Sequence, residues 1–131
     1  MSTFNALGVA GTGVTVYRKW LDAVSDNIAN MNNVSRTSEN AFQARYVVAQ
    51  EAQDGNGAQV GGIAYGSAEG RLEYDPDNPM ADTEGYVRRP DIDLGSQMAQ
   101  MIMAQRAYQA NHSVVDRARD SYTAAINLGK A

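Results

Sequence analysis

The chain reads as mainly α with a small β segment: two long terminal helices packing as a coiled-coil-like core, with an extended β-hairpin/loop insert between them. Three observations predict this. Apolar residues recur every seven positions at both ends of the 131-residue chain, half of the twelve glycines crowd between Gly55 and Gly70, and all three prolines fall between Pro76 and Pro90. A sustained seven-residue repeat marks helices that pack lengthwise, whereas Gly and Pro punctuate turns. The expected divisions are an N-terminal core helix over 1–33, the insert over 34–90, and a C-terminal core helix over 91–131.

In the first helix Leu7, Val14, Leu21 and Ile28 share one seam position, and Ala10, Tyr17, Val24 and Met31 share the position three further on. Ser2 or Thr3 can cap its start. Gly8, Gly11 and Gly13 each cost about 1 kcal/mol relative to Ala in a helix interior, so this helix is expected to need partners. It finishes in SDNIANMNN (25–33), which concentrates Asn27, Asn30, Asn32 and Asn33. Asparagine is a poor interior helix residue, but its amide both donates and accepts. Four of them can satisfy the free carbonyls of a helix end or bond laterally to neighbouring chains.

The insert has β-type runs at RYVVAQE (45–51), GGIAYG (61–66) and RLEY (71–74), with GNG (55–57) as a hairpin turn. A loop, DPDNPMADTEGYV (75–87), follows. It superficially resembles a calcium loop, but counting from Asp75 the sixth position is Met80 rather than Gly, and the twelfth is Tyr86 rather than Glu. A rigid turn built by Pro76 and Pro79 is the better reading.

Helical spacing resumes with Leu94, Met101, Tyr108, Val115 and Tyr122, paired with Gln97, Ala104, Asn111, Ala118 and Ala125. Large residues at one position and mostly small ones at the other allow close helix approach. Asp91 and Asp93 suit the positive N-terminal end, and Gly129 suits the far one. A single amide on such a seam, Asn111, can fix register.

No active site is legible. There is no cysteine and one histidine, His112, whose nearest helical carboxylate is Asp116. Neither a two-histidine motif nor a nucleophile elbow occurs. The net charge of −4 leaves no basic stripe for nucleic acid or an anionic membrane surface. Arg88-Arg89 stand in acidic surroundings, as a solvated or ion-paired site. The N-terminus lacks the basic start of a secretory signal, and no apolar run approaches the ~20 residues of a membrane-spanning helix.

The two ends resemble a known family. GTGVTVYRKWLDAVSDNIANMNN (11–33) is similar to the N-terminal signature of flagellar axial proteins, the rod and hook subunits, above all in SDNIAN. MAQMIMAQRAYQAN (98–111) resembles their C-terminal signature, and YDPDNPMADTEGYV (74–87) resembles the central pattern of proximal rod subunits. Gln97 departs from the glutamate usual in that family, which removes any intersubunit ion pair at this position. DID (91–93) replaces the commoner NVN or NVD.

The resemblance implies a non-catalytic structural subunit of the basal-body proximal rod, without cofactor or metal, polymerising through its terminal helices into a torque-transmitting shaft. Implied partners are copies of itself, other rod subunits, inner-membrane ring or rod-adaptor proteins and the flagellar type III export apparatus. Nucleic acid and direct membrane insertion are not implied. The location is the rod spanning the periplasm or cell wall, reached without a cleaved signal peptide. Another rod or hook subunit, or a free-standing helical-hairpin interaction module, remains open at this point.

On this reading the seams lie at subunit interfaces. The first helix offers Leu7, Val14, Tyr17, Leu21, Val24, Asn27, Ile28, Asn30 and Met31. The second offers Met101, Ala104, Arg106, Tyr108, Asn111, Val115, Ala118 and Tyr122. The insert turn Asp75, Pro76, Pro79, Gly85 and Tyr86 is expected to orient the middle segment against adjacent subunits.

Overall fold

The computed structural model describes residues 3–130. Two helices, α1 (Thr3–Asn30) and α2 (Leu94–Gly129), flank four short strands: β1 (Arg45–Glu51), β2 (Ala58–Tyr65), β3 (Arg71–Tyr74) and β4 (Tyr86–Arg89). The predicted fold class is the observed one. The insert, however, is two antiparallel hairpins, β1–β2 and β3–β4, rather than one hairpin and a loop. Ser2 lies outside the described residues, and capping by the Thr3 side chain lies outside what is described.

The asparagines finish α1 as C-capping amides do. Asn30 Nδ2 donates to the Asp26 carbonyl at 2.8 Å, and Asn33 Nδ2 donates to Asn30 Oδ1 at 2.9 Å. The helix therefore ends at Asn30, and Met31 sits in the turn that follows. At the other helix Asp93, in extended backbone, accepts the Ser96 N–H at 2.7 Å and acts as the N-cap. Gly129 is the last helical residue rather than the one beyond it; Lys130 N–H reaches the Asn127 carbonyl.

The two heptad seams face each other within the one chain. Between residues 97 and 118 of α2, every predicted seam position is buried or half-buried, whereas Arg106, His112 and the far end of the helix are exposed. Along α1 a second stripe is covered as well, because the β1–β2 hairpin lies on it. The Thr12 hydroxyl accepts the Ala58 N–H at 3.1 Å while donating to the Val9 carbonyl at 2.7 Å. Asp26 pairs with Arg45 at the other end of the hairpin. α1 is thus the shared spine, and among the described residues α2 packs on no strand.

The core is built of small residues: Ala10, Val16, Ala23 and Val24 from α1, Ala104 from α2, and Ala41, Ala44, Val87 and Ile92 from the connecting parts. Small side chains let backbones approach closely, and they also limit the apolar area removed from water. Gly13 shows how close the approach is. A Cβ there would lie 2.7 Å from Asn111 Oδ1 across the helix pair.

β4 was expected as loop. It pairs Arg71 with Arg89 through to Tyr74 with Tyr86, and its outer side bonds to Ser35, with Ser35 N–H to the Arg88 carbonyl and Arg88 N–H to the Ser35 carbonyl, both 2.9 Å. The Arg88 guanidinium grips two backbone carbonyls, Glu69 at 2.7 Å and Thr37 at 2.8 Å. Arg89 Nε lies 2.8 Å from Glu73 Oε2, an ion pair too far off line for a hydrogen bond. The two arginines are structural staples.

Candidate assembly surface

At the middle of the chain's packing lies one polar junction. Asn27, 0% exposed, donates from Nδ2 to Gln97 Oε1 at 3.0 Å and to the Arg45 carbonyl at 3.0 Å, and its Oδ1 accepts the Arg45 N–H at 2.8 Å. One amide thereby ties the end of α1 to the start of α2 and the start of β1. Gln97 is 2% exposed, so its side chain belongs to this junction and offers nothing to another subunit. Buried amides remain satisfied only if every partner is in register, which is what makes them specifying.

Several residues expected at subunit interfaces are therefore internal. Val24, Asn27 and Ala104 are buried in the chain itself and have no surface left for a neighbour. Leu7, Val14, Tyr17, Leu21, Ile28, Asn30 and Met31 are half-buried on α1, as are Met101, Tyr108, Asn111, Val115 and Ala118 on α2. Asn111 Nδ2 donates to the Ala107 carbonyl of its own helix at 2.8 Å rather than to another amide. Arg106 and Tyr122 are exposed, though the Tyr122 ring meets Phe4 edge-on at 5.1 Å.

The insert turn is organised by a residue the sequence did not mark. Asp82 Oδ1 accepts the N–H groups of Glu84 and Tyr86, each at 2.9 Å, and its Oδ2 accepts the Thr37 hydroxyl at 3.0 Å. The Tyr86 N–H, with help from Thr37 and the neighbouring amides, holds this carboxyl below its ordinary value against a smaller opposing effect of desolvation. Gly85 takes φ +86°, and a Cβ there would strike the Tyr74 ring at 2.8 Å and Pro76 at 3.1 Å. Only glycine fits that turn. Asp75 anchors the first half, its Oδ2 accepting Asn78 Nδ2 at 3.0 Å, while Pro76, Pro79 and Tyr86 stand exposed with the Tyr86 ring 5.3 Å from Tyr74. No three His, Cys, Asp or Glu side chains among the described residues gather where a metal could sit.

What the chain leaves uncovered is the back of α2. Met98, Ile102 and Met103 are 52%, 49% and 54% exposed, on the side away from the seam. Arg106 follows one turn later, with no acidic partner among the described residues. Its seam side already faces α1, so this stretch of helix carries large apolar side chains on both sides, with Gln100, Gln105 and Arg106 among them. Large apolar side chains on two sides of a helix suit it to being covered on both. Beyond the Phe4–Tyr122 contact the helix continues with Ile126 and Leu128, the latter 80% exposed. Sequence reasoning followed the heptad seam and passed over this face, although the run MIM already carries apolar residues at adjacent, non-seam positions.

Paired terminal helices with a braced β insert and an open outer helix face define a structural protein suited to assembly. Residues 83–128 match the family described as flagellar basal body rod FlgEFG protein C-terminal. Over 99% of its length the chain is 33% identical to the flagellar basal-body rod protein FlgC of Yersinia enterocolitica, all of which is covered. It is 34% identical to the FlgC of Agrobacterium fabrum over 94% of this chain and 92% of that one. The FlgC of Bacillus subtilis is 27% identical, with 99% of this chain and all of that one covered. The chain belongs to the FlgC family of flagellar basal-body rod proteins.

Proposed function

We infer that this chain is a structural subunit of the flagellar basal-body rod, and that it works by burying the back of α2 against other rod chains. The observation that carries this is the double-sided apolar character of α2, one side covered by α1 and the other open, with an Arg106 that has no acidic partner among the described residues. Each large side chain on that face contributes about 1.5–3 kcal/mol if fully buried. Repeated around a shaft, such contacts give stiffness from subunits with small cores. The half-buried seam residues, including Leu7 and Tyr108, complete their burial in the same assembly.

The resemblance of the central turn to proximal rod subunits supports a place in the proximal rod, with copies of this chain and other rod subunits as neighbours. Ring or adaptor proteins at the inner membrane and the type III export apparatus follow as partners from that place, as does a periplasmic location reached without a cleaved signal. The Asp82-centred turn sets the orientation of β3–β4 toward those neighbours.

The test is Arg106→Glu in the full chain, expressed in a motile host that lacks its own copy. The side chain is exposed and has no acidic partner among the described residues, so thermal unfolding is expected to stay unchanged while motility and recovery of the chain in basal bodies are lost. Normal motility with Glu at position 106 overturns the assignment of this face.

A further inference from the structure

We propose that Asn56–Gly57, at the tip of the β1–β2 hairpin, is a site of self-inflicted backbone modification, and that its conversion to isoaspartate releases the hairpin from α1. Asn56 is exposed, and among the described residues its side-chain amide makes no hydrogen bond; only its backbone N–H does, to Asp54 Oδ1. The next residue supplies the nucleophile. The Gly57 carbonyl accepts the Ala52 N–H at 3.0 Å, but the Gly57 N–H itself donates to nothing in the loop. Residue 57 has no side chain of its own to hinder that nitrogen.

The step balances without any redox partner. The deprotonated Gly57 nitrogen attacks Asn56 Cγ, a C–N bond forms, the Cγ–Nδ2 bond breaks, and ammonia leaves. Water then opens the five-membered imide. Opening at Cγ gives aspartate with the original backbone. Opening at the former backbone carbonyl gives isoaspartate, which routes the main chain through Cβ and Cγ and leaves a free carboxylate.

Other asparagines lack this combination. Asn78 precedes Pro79, which has no N–H; after Asn40 the Ala41 N–H is committed to the Ala68 carbonyl at 2.8 Å, and after Asn32 the Asn33 N–H to the Asn30 carbonyl at 3.1 Å. Asn27 is enclosed and bonded on both sides of its amide.

The consequence is local and readable. Gly57 passes so near α1 that a Cβ on it would lie 2.3 Å from Thr12 Oγ1, and the next N–H, of Ala58, is bound to that same oxygen. An extra backbone carbon at position 56 cannot be fitted without moving this contact, and it adds a carboxylate two residues from Asp54.

The experiment is incubation of the full chain in mildly alkaline buffer, with peptide mapping by mass spectrometry and amide exchange at Ala58. Expected are a gain of one mass unit in the Asn56 peptide ahead of every other asparagine, isoaspartate at that position, acceleration with pH, and faster exchange of the Ala58 N–H in the converted chain. Asn56→Gln, which would need a six-membered ring, is expected to stay intact; Asn56→Asp, which adds the charge alone, is expected to keep Ala58 protected. Conversion first at another asparagine overturns the site, and unchanged Ala58 exchange in the isoaspartyl chain overturns the release.

Discussion

Replacing Asn27 with alanine removes three hydrogen bonds at once and leaves the Arg45 N–H, the Arg45 carbonyl and Gln97 Oε1 without their partner. A stranded buried polar group costs about 1–3 kcal/mol. Arg45 is exposed, so water can reach part of its backbone, whereas Gln97 is enclosed. The sum expected is therefore nearer about 2–4 kcal/mol than three full penalties, a large share of the roughly 5–15 kcal/mol that holds a typical domain together. Urea unfolding followed by Trp20 fluorescence and far-ultraviolet circular dichroism measures it, since Trp20 lies on the helix contact with its Nε1 reaching toward Gln100. Paired with Gln97→Ala in a double-mutant cycle, the two losses should fall short of additivity by about 0.5–3 kcal/mol, as for residues in one network. A cost below about 0.5 kcal/mol for Asn27→Ala, the level of an ordinary surface change, or strict additivity with Gln97→Ala, refutes the junction.

Gly13→Ala gains about 1 kcal/mol of helix propensity but pushes on Asn111 Oδ1, so the single change should be near neutral. In an Asn111→Ala background the same change should stabilise by about 1 kcal/mol in urea unfolding, and failure to do so counts against the close approach there. The Asp82 carboxyl should titrate below the ordinary 3.8, seen by nuclear magnetic resonance in the Tyr86 and Glu84 amides. Because its folded value is depressed, its contribution is present above the unfolded value and lost as pH falls through the folded one; a midpoint above 3.8 contradicts the turn geometry. Arg88→Lys cannot bridge the Glu69 and Thr37 carbonyls with one fork and should destabilise by about 1–3 kcal/mol, visible as faster exchange of the Ser35 amide.

The helices were legible because their repeat runs for four heptads or more, long enough for periodicity to outweigh three glycines and several amides. β4 was not, since YVRR is four residues, half of them charged, directly after a proline-fixed loop. Its strand character comes from Ser35 and β3 on either side, which is tertiary information. Between residues 97 and 118 the seam positions of α2 are covered, while Leu94, Tyr122 and Ala125 at its two ends are exposed, and a heptad pattern is silent on whether the covering helix comes from the same chain. Here α2 supplies it, and that moved Val24, Asn27 and Ala104 indoors. Gln97 was visible as a polar residue at a seam position and as a departure from the family's glutamate. Its partner lies 70 residues earlier, and nothing local links the two. Asp82 escaped notice because its task, collecting amides from residues two and four ahead, is shared by many loop aspartates.

Because α1 is the one helix or strand that α2 packs on among the described residues, the chain is built like a latch whose bolt arrives last. Residues 3–93 can settle the β1–β2 hairpin on the spine and form β3–β4 first, through links that close over shorter stretches of sequence. Closing α2 then joins the two termini of the polypeptide and carries the largest loop-entropy cost of any step. A subunit whose bolt is still open presents the spine's seam to any similar helix nearby, so timing alone can decide whether that groove is filled from within or by an incoming neighbour.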